Sequence, residues 1–355
     1  MKFLTKRRDF YISESGIDSV EKVSLGGVDQ SILIQAENPE NPVLLFVHGG
    51  PCMPVPGVVS RGQDYAIATS TKELVKHFVL VFWDQRGAGK SFDKTISSET
   101  MRVKQFISDC NELIDILLGR FNQEKIYLAA HSWGTVIGLT IAAKYPEKLH
   151  AYIGISQIMN WAENDKFCYE WLWEKAESNN DKKTLKKLVA LGRPPYVNDV
   201  KQWINFRGPL MKYKSMVYES ETVRHPGMIG GLKIFLNAVD YSLIDFYHTF
   251  RSAYHLTYTK ELIKDFSEIN FHSIEKLNLP VFFLHGRQDL HLDGEPVKCF
   301  VEKLSAPQKK MIWYENSSHM FHPDDAKEIE KYIIGIVQEG KRGKVSNIHI
   351  RDSST

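Results

Sequence analysis

Residues Ile126–Thr135 read Ile-Tyr-Leu-Ala-Ala-His-Ser-Trp-Gly-Thr and combine three local patterns. An apolar run typical of a buried strand leads into a small-His-Ser-Trp-Gly turn, and a predicted helix follows over 135–144. A serine between a strand and a helix in this way forms a nucleophile elbow, a strained turn that exposes the hydroxyl at the helix N-terminus. Such a turn needs minimal side chains two positions before and after the serine. Gly134 meets this requirement, and Ala130 adds one methyl group where glycine is usual.

Short apolar runs alternate with amphipathic helical patterns on both sides of this turn. Residues 20–36 predict a hairpin around Gly26-Gly27. The alternation predicts an α/β fold, a mostly parallel, doubly wound sheet with helices on both faces. The predicted strands cover 43–47, 78–83, 126–130, 152–155, 281–284 and 311–314, and the predicted helices cover 103–118, 135–144, 295–304 and 325–339.

The alternation is interrupted between about residues 157 and 275. This interval is rich in Trp, Tyr, Lys and Glu and has helical patterns but no convincing buried strand. We interpret it as an inserted helical cap over the carboxyl ends of the strands, where open α/β sheets bind ligands. The predicted organisation is a discontinuous core of residues 1–156 and 276–340, a cap of residues 157–275 and a flexible tail of residues 341–355.

The composition excludes several classes of protein. The 355 residues include 45 Lys and Arg against 43 Asp and Glu, so the net charge of +2 gives no basic field for binding nucleic acid. The hydrophobic fraction of 43% and the charged fraction of 25% are ordinary for a globular protein. The longest apolar runs are strand-sized, and the first residues lack the apolar run of a signal peptide. We therefore expect a cytoplasmic protein with no membrane segment.

The cysteines provide no sign of a metal or redox site. No CxxC pair occurs, so neither a zinc ribbon nor a thioredoxin-like motif is supported. We expect four free thiols, no metal and no cofactor. The four residues are Cys52, Cys110, Cys168 and Cys299.

A serine nucleophile needs a histidine base and a carboxylate that orients this base. Asp289 follows the predicted strand at 281–284, and His319 follows the predicted strand at 311–314. The order Ser132, Asp289, His319 is the one expected for a triad on this kind of sheet. We therefore predict these three residues as the catalytic set.

Three neighbours compete for these roles, namely Asp293, His291 and His322. His322 lies further beyond the strand than His319, and the proline that follows it suggests that a helix already begins there. His319 and His322 could alternatively be a metal-binding pair, but no third ligand cluster accompanies them. The triad is the interpretation that we favour.

A glycine turn, His48–Cys52, follows the predicted strand at 43–47 and reads His-Gly-Gly-Pro-Cys. A backbone N–H in this turn would face the serine and form an oxyanion hole together with the N–H of Trp133. We assign Gly50 as the main donor from the turn. Taken alone, the segment would be interpreted as an ordinary glycine turn.

The segment Trp83–Ser91 ends in Gly-Lys-Ser and so imitates a phosphate-binding loop. Asp84 stands where the first glycine of that motif is required, and no apolar helix follows Ser91. We interpret the segment as a loop beside the site that is braced by Asp84 and Arg86.

Together these segments resemble the proline iminopeptidase group of α/β-hydrolases, peptidase family S33. The family pattern is HGGPG, DQRGxGxS, GxSWG, GRxD and a late GH, and the combination of HGGP with DQRGAGKS is specific. The resemblance runs from about Gly26 to the end of the chain and is weakest across the predicted cap. The matching segments are His48–Cys52, Asp84–Ser91, Ala130–Gly134, Gly286–Asp289 and Ser318-His319.

The resemblance implies roles for five residues. Ser132 would be the nucleophile, Asp289 the acid and His319 the base. Gly50 and Trp133 would donate to the oxyanion. The chain departs from the pattern where Cys52, Ala130 and Ser318 replace glycines.

The resemblance also implies that acidic groups of the cap hold the free amine of the substrate. The nearest match is the Trp-Leu-Trp-Glu stretch at 171–174, which makes Glu170 and Glu174 candidates for this role. The alternative, which we prefer, is an amphipathic cap helix whose glutamates are simply solvated.

These observations predict a serine hydrolase that acts through an acyl-enzyme. By resemblance, its reaction would be the release of an N-terminal residue, such as proline, from short peptides. One alternative is a carboxylesterase or lactonase that uses the same triad on small esters. A more distant alternative is a non-catalytic homologue that binds a small ligand. The expected partner is a small molecule or short peptide, and the oligomeric state is not predicted.

Overall fold

Eight strands form the sheet of the computed structural model, which describes residues 6–196 and 199–342. The strand order is β1-β2-β4-β3-β5-β6-β7-β8. The first two strands form a hairpin, β2 pairs antiparallel with β4, and all other neighbouring strands are parallel. The predicted mostly parallel α/β sheet is confirmed. The bounds are β1 (Ile17–Leu25), β2 (Val28–Ala36), β3 (Val43–Val47), β4 (Val79–Asp84), β5 (Ile126–His131), β6 (Leu149–Ile155), β7 (Val281–Gly286) and β8 (Lys309–Tyr314).

The central strands are continuous apolar runs because both faces of the sheet are covered. Every residue of β3, β4, β5 and β7 is buried. Alternate side chains enter different cores, as the two-residue period of a strand requires. In β3, for example, Leu45 packs on one face and Leu44 on the other.

From residue 6 to the sixth strand, the structure has three α-helices. They are α1 (Leu74–His77), α2 (Val103–Arg120) and α3 (Trp133–Lys144). The stripe of α2 that includes Phe106, Leu113 and Leu117 is buried against the sheet, as its spacing predicted. Short 3₁₀ turns occur at Val58–Ser60, Gly89–Ser91, Ser98–Thr100 and Pro146–Lys148.

Between β6 and β7, the described residues form seven helices and a π-helical turn at His248–Ser252. Several begin with a side-chain cap; Asn160, for example, accepts hydrogen bonds from the N–H groups of Ala162 and Glu163. Their bounds are α4 (Trp161–Ser178), α5 (Lys182–Leu191), α6 (Val200–Lys212), α7 (Gly227–Asn237), α8 (Leu243–Tyr247), α9 (Ala253–Thr257) and α10 (Lys260–Ser267).

Two helices complete the described chain, α11 (Glu295–Lys303) and α12 (Pro323–Arg342). The last helix begins two residues earlier than predicted and continues into the first residues of the predicted tail. Residues 343–355, the rest of that tail, lie outside the described residues. Across the described ranges, no helix combines the length and the apolar character that crossing a bilayer requires.

The topology brings the predicted functional segments to one edge of the sheet. Strands β3, β5, β6, β7 and β8 are consecutive neighbours and parallel, so their carboxyl ends share that edge. The glycine turn follows β3, Ser132 follows β5, and the loops with Asp289 and His319 follow β7 and β8. Residues distant in sequence therefore converge where open α/β sheets bind ligands.

Candidate active site

Ser132 occupies the sharp turn between β5 and α3. Its backbone has φ 53° and ψ −123°, which residues with a side chain seldom adopt. Its N–H donates to the carbonyl of Ile155 in β6 at 3.0 Å. A Cβ on Gly134 would lie 2.3 Å from the carbonyl oxygen of Val47, so glycine is what allows α3 to approach β3 this closely.

Ala130 takes the place of the usual first glycine of the elbow. Its methyl group faces Gly138 of α3, where an added Cβ would lie 2.9 Å from the Ala130 Cβ. The same Cβ would lie 2.6 Å from the ring of Tyr152. Gly138 therefore supplies the space that the methyl group of Ala130 occupies.

A continuous chain of hydrogen bonds joins Ser132, His319 and Asp289. The distance from Ser132 Oγ to His319 Nε2 is 2.9 Å, and that from His319 Nδ1 to Asp289 Oδ2 is also 2.9 Å. Asp289 and His319 are buried. Since the carboxylate can only accept, Nδ1 carries the proton and Nε2 is free to accept from the serine hydroxyl.

Asp289 is held as an ion by its surroundings. Burial acts to raise its pKa, but His319, the nearby ring of His285 and the N–H of Leu292 together outweigh burial and hold the pKa below its usual range. The other carboxylate oxygen accepts from the N–H groups of His291 and Leu292, each at 2.8 Å. The carboxylate is therefore fixed in orientation as well as in charge.

Two further histidine rings pack beside His319 and stay neutral. The ring centroids of His131 and His291 lie 5.0 Å and 4.9 Å from that of His319. Burial lowers the pKa of each to about 3, with the nearby imidazole of His319 acting in the same direction. Neither ring therefore adds a positive charge next to the base at neutral pH.

The competing residues point elsewhere. His322 Nε2 donates to the carbonyl of Arg224 at 3.2 Å, and Asp293 caps the N–H of Glu295 at 3.0 Å. His291 lies near the hydroxyl of Ser215 rather than that of Ser132. Within the described ranges, no group of three or more His, Cys, Asp or Glu side chains is arranged to hold a metal ion.

The glycine turn after β3 runs directly past the serine. A Cβ on Gly49 would lie 3.1 Å from the Ser132 Cβ, and Gly50 has φ 119°, a conformation that favours glycine. The carbonyl of Gly50 accepts from the hydroxyl of Tyr258 at 3.0 Å. In the described part of the chain, the N–H groups of Gly50 and Trp133 donate to no other protein group, and both residues line the same cavity as Ser132.

Gln85 links the two segments that carry these N–H groups. Its side-chain nitrogen donates to the carbonyl of His48 at 2.8 Å, and its side-chain oxygen accepts from the indole N–H of Trp133 at 2.9 Å. The sequence analysis missed this residue, although it lies within the Trp83–Ser91 segment. The sequence analysis assigned the bracing role to its neighbours Asp84 and Arg86 instead.

Asp84 and Arg86 do brace this loop. The Asp84 carboxylate accepts from the N–H groups of Val58 and Lys90 at 2.8 and 2.9 Å, and burial raises its pKa to about 7. Arg86 forms a bidentate ion pair with Asp109, at 2.8 and 2.9 Å between side chains that have no exposed surface. The interpretation as a structural loop agrees with these contacts.

A cavity of about 620 Å³ adjoins Ser132. Five of the nine methionines line it, and their flexible thioethers can adapt to apolar groups of different shape. Arg207 of α6 is the one Asp, Glu, Lys or Arg side chain among the described lining residues. The methionines are Met53, Met211, Met216, Met228 and Met320, and the aromatic residues in the wall include Trp161, Trp203, Phe235, Phe250, Tyr254 and Tyr258.

The structure does not bring Glu170 and Glu174 to this cavity. Both are exposed on α4 and line a separate surface hollow next to Arg193. The helix buries Cys168 and Leu172, which lie about 200° around the helix axis from the glutamates. The predicted role of these glutamates in holding an amine next to Ser132 is therefore wrong, and the helical spacing already favoured the solvated face.

Comparisons with known proteins identify the family of this chain. The sequence profile of the α/β hydrolase fold family matches residues 42–326. A probable aminopeptidase, YbaC, of Bacillus subtilis (strain 168) is 30% identical over 316 residues, which cover 88% of this chain and 94% of that protein. A proline iminopeptidase of Heyndrickxia coagulans is 24% identical over 147 residues, 41% of this chain and 43% of that protein.

A solved structure extends the comparison to the fold. The proline iminopeptidase of Mycobacterium smegmatis matches with a TM-score of 0.59 at 14% identity, over 92% of this chain and 100% of that chain. At this identity the match concerns the fold alone. The resemblance that the motifs indicated is confirmed by the named relatives. From its sequence profile, its relatives and its sheet, the chain belongs to the α/β-hydrolase family.

Proposed function

We propose that this protein is a serine hydrolase that forms an acyl-enzyme on Ser132. The observation that carries the proposal is the hydrogen-bonded chain from Ser132 through His319 to Asp289, with 2.9 Å at each step. The strained backbone of the serine, the ionised carboxylate and the adjoining cavity are the other parts that this chemistry needs.

The reaction would proceed in two halves. His319 Nε2 takes the proton of the Ser132 hydroxyl as the oxygen attacks the substrate carbonyl, and Asp289 stabilises the imidazolium that forms. The N–H groups of Gly50 and Trp133 donate to the oxyanion. His319 then gives the proton to the leaving group, and it activates a water that releases the acyl group from the serine.

We also propose that residues 157–275 act as a cap over this site. Side chains from α4, α6, α7 and α9 contribute to the wall of the cavity next to Ser132. A mainly apolar wall of this kind displaces water from the site and limits the size of the substrate.

The first candidate substrates are short peptides, from which the enzyme would release the N-terminal residue. The relatives that are named as a probable aminopeptidase and as proline iminopeptidases support this class. Small esters are the second candidate. A specific observation favours them, because no carboxylate that could pair with a peptide's free amine is found among the described residues of the cavity wall.

Labelling with a fluorophosphonate probe tests the serine hydrolase proposal. The wild-type protein should be labelled, and Ser132→Ala should not. Ser156→Ala is a matched control, because this buried serine also has positive φ and its hydroxyl has no partner among the described residues. A wild-type protein that resists the probe, or a Ser132→Ala variant that is still labelled, would overturn the proposal.

A substrate panel then separates the two candidates. Aminoacyl-naphthylamides, including the prolyl compound, are compared with p-nitrophenyl esters of similar size. Turnover of the naphthylamides supports the aminopeptidase, whereas turnover confined to the esters rejects it in favour of the esterase.

A further inference from the structure

We propose that Arg207 is a binding site for a carboxylate group of the substrate. This inference rests on the proposed function, because it concerns the cavity next to the nucleophile Ser132. It goes beyond that function in naming a chemical group that the substrate carries and the residue that recognises it.

The guanidinium of Arg207 is held in place with donors to spare. Its Nη2 donates to the Asp165 carboxylate at 2.6 Å, its one hydrogen bond within the described ranges. Its Cζ lies 4.4 Å from the ring centroid of Trp203 and 5.4 Å from that of Trp161. Because a guanidinium has five N–H donors in a rigid plane, this stacking fixes the group and leaves several donors for a second partner.

The side chain is accessible from the cavity although its partner is not. Arg207 keeps 18% of its side-chain surface exposed and lines the cavity, whereas Asp165 keeps 3% and does not line it. A ligand in the cavity can therefore reach the cation without meeting the carboxylate that balances it. Arginine suits this role because its fork can bind a carboxylate through two parallel hydrogen bonds.

Aromatic contacts connect Arg207 to the reacting centre. Trp203, on which the guanidinium stacks, lies with its ring centroid 5.0 Å from that of Tyr258. The hydroxyl of Tyr258 donates to the carbonyl of Gly50, the residue proposed to donate its N–H to the oxyanion. The cation and the proposed oxyanion donors thus line one cavity, the one that Ser132 adjoins.

The charge pattern of the cavity selects for an anion. The remaining wall consists mainly of thioethers and aromatic rings, and the histidines His131 and His291 are neutral. An ammonium group placed here would meet Arg207 and no carboxylate of the described wall. A carboxylate would gain a charge-assisted pair in apolar surroundings, where such pairs are strong.

Two substrate classes can supply this carboxylate. In a short peptide it is the C-terminal carboxylate, which belongs to the amine leaving group and departs when the acyl-enzyme forms. In an ester of a dicarboxylic acid it belongs to the acyl group. The chemistry at Arg207 is the same in both cases, and the experiment separates them.

Binding is measured by calorimetry on Ser132→Ala protein, so that no turnover is needed. One arm compares a prolyl dipeptide with its C-terminal amide. The other compares the monophenyl ester of glutaric acid with the same phenyl ester whose free carboxylate is methylated. In at least one arm the free carboxylate should bind ten-fold or more tighter than its neutral partner, because a hydrogen bond to a charged group contributes about 1.5–3 kcal/mol. The arm that shows the preference identifies the source of the carboxylate.

Three variants in the same background assign the preference to Arg207. Arg207→Gln should abolish it, and Arg207→Lys should keep part of it, because the charge remains and the fork is lost. Asp165→Asn should strengthen it, because the cation then has no competing partner. If Arg207 only anchors Asp165, then Asp165→Asn and Arg207→Gln would weaken binding alike, which would overturn the proposal.

The proposal would also be overturned if Arg207→Gln weakened the binding of the neutral and the charged ligands equally. It would likewise be overturned if the free carboxylate had no preference in either arm. If Arg207→Gln fails to fold, the other two variants still test the proposal. The preference for the free carboxylate should be weaker than in the parent protein for Arg207→Lys and stronger for Asp165→Asn. Failure of the serine hydrolase proposal has a separate signature, because fluorophosphonate labelling of the wild type would then be absent whatever these ligands bind.

Discussion

The indole N–H of Trp133 donates to the side-chain oxygen of Gln85 at 2.9 Å, directly behind the serine turn. The other end of the same amide donates to the carbonyl of His48, next to Gly49 and Gly50. One side chain therefore fixes the spacing between the two backbone segments that carry the proposed oxyanion donors. Because such donors act through exact placement, Gln85 is expected to be a positioning residue.

Gln85→Leu should lower kcat by roughly 10- to 100-fold and change KM by no more than about three-fold, since an oxyanion donor stabilises the transition state more than the bound substrate. Gln85→Glu should be intermediate, because it can still accept from Trp133. The measurement is steady-state kinetics on a p-nitrophenyl ester.

Gln30→Leu is the matched control for this prediction. Gln30 is also buried and also accepts from an indole, that of Trp83, but its side-chain nitrogen donates to Asp109 and not to a segment with a proposed oxyanion donor. Both substitutions should lower the free energy of unfolding, and only the change at Gln85 should lower kcat. Equal loss of kcat in the two variants would show that the effect is one of stability.

His319→Ala should reduce kcat by on the order of 10⁴-fold or more, because it removes the base from a unit that functions together. His322→Ala should stay within about two-fold of the wild type. His322 lies three residues further along the chain, and its ring donates to the carbonyl of Arg224, not to the serine. The measurement is kcat of both variants on the same p-nitrophenyl ester. A similar loss of kcat in the two variants would mean that the base has been misassigned.

The elements that form this site could be predicted because their signals are local. The turn around Ser132 requires small residues at fixed spacing, and the buried strands are plain apolar runs. Asp289 and His319 were then found from their places just after strands. Because parallel strands bring their carboxyl ends together, the order of these residues along the chain was enough to predict their contacts. Asp289 and His319 are 30 residues apart in sequence, and Ser132 and His319 are 187 residues apart.

The wall of the cavity could not be predicted in the same way. Arg207 lies on α6 and Tyr258 directly follows α9, and the packing of these elements over the sheet depends on tertiary contacts. No local motif marks either residue. The missed role of Gln85 has a similar cause, since its partners belong to two other segments. For Glu170 and Glu174, the helical spacing was the better guide than the resemblance, because the buried positions of α4 place both glutamates on the outer face.

Acid should destabilise the protein through its buried histidines. The pKa of His131 is lowered to about 3 by burial, against an ordinary value of 6.5, so below pH 6.5 the unfolded chain takes up a proton that the folded chain does not. Stability therefore falls as the pH decreases. Relative to His131→Asn, the wild type should lose about 2 kcal/mol of unfolding free energy between pH 7.5 and 5.

Denaturant unfolding of the two proteins at a series of pH values measures this difference. Titrating groups that do not contact His131, among them Asp84 with its raised pKa, change both curves equally and cancel in the comparison. Parallel curves for wild type and variant would contradict the prediction, because they would mean that His131 binds its proton equally well in the folded and unfolded states.

Substitution of the two small residues of the elbow should have different effects on labelling and on stability. Gly134→Ala places a methyl group 2.3 Å from the Val47 carbonyl oxygen and must push α3 away from β3, so we expect a loss of about 3 kcal/mol or more together with loss of fluorophosphonate labelling. Ala130→Gly only removes a methyl group that faces Gly138, which should cost about 1–2 kcal/mol and leave labelling intact.

Chemical denaturation and probe labelling of both variants test this pair of predictions. The two substitutions are the reverse of each other and lie within five residues of sequence. A difference in labelling between them therefore reports the geometry at each position rather than the type of residue introduced. A Gly134→Ala protein with normal labelling would show that α3 can shift without moving Ser132. In that case the position of the hydroxyl would be set by the hydrogen bond from Ser132 N–H to Ile155 rather than by the contact of α3 with β3.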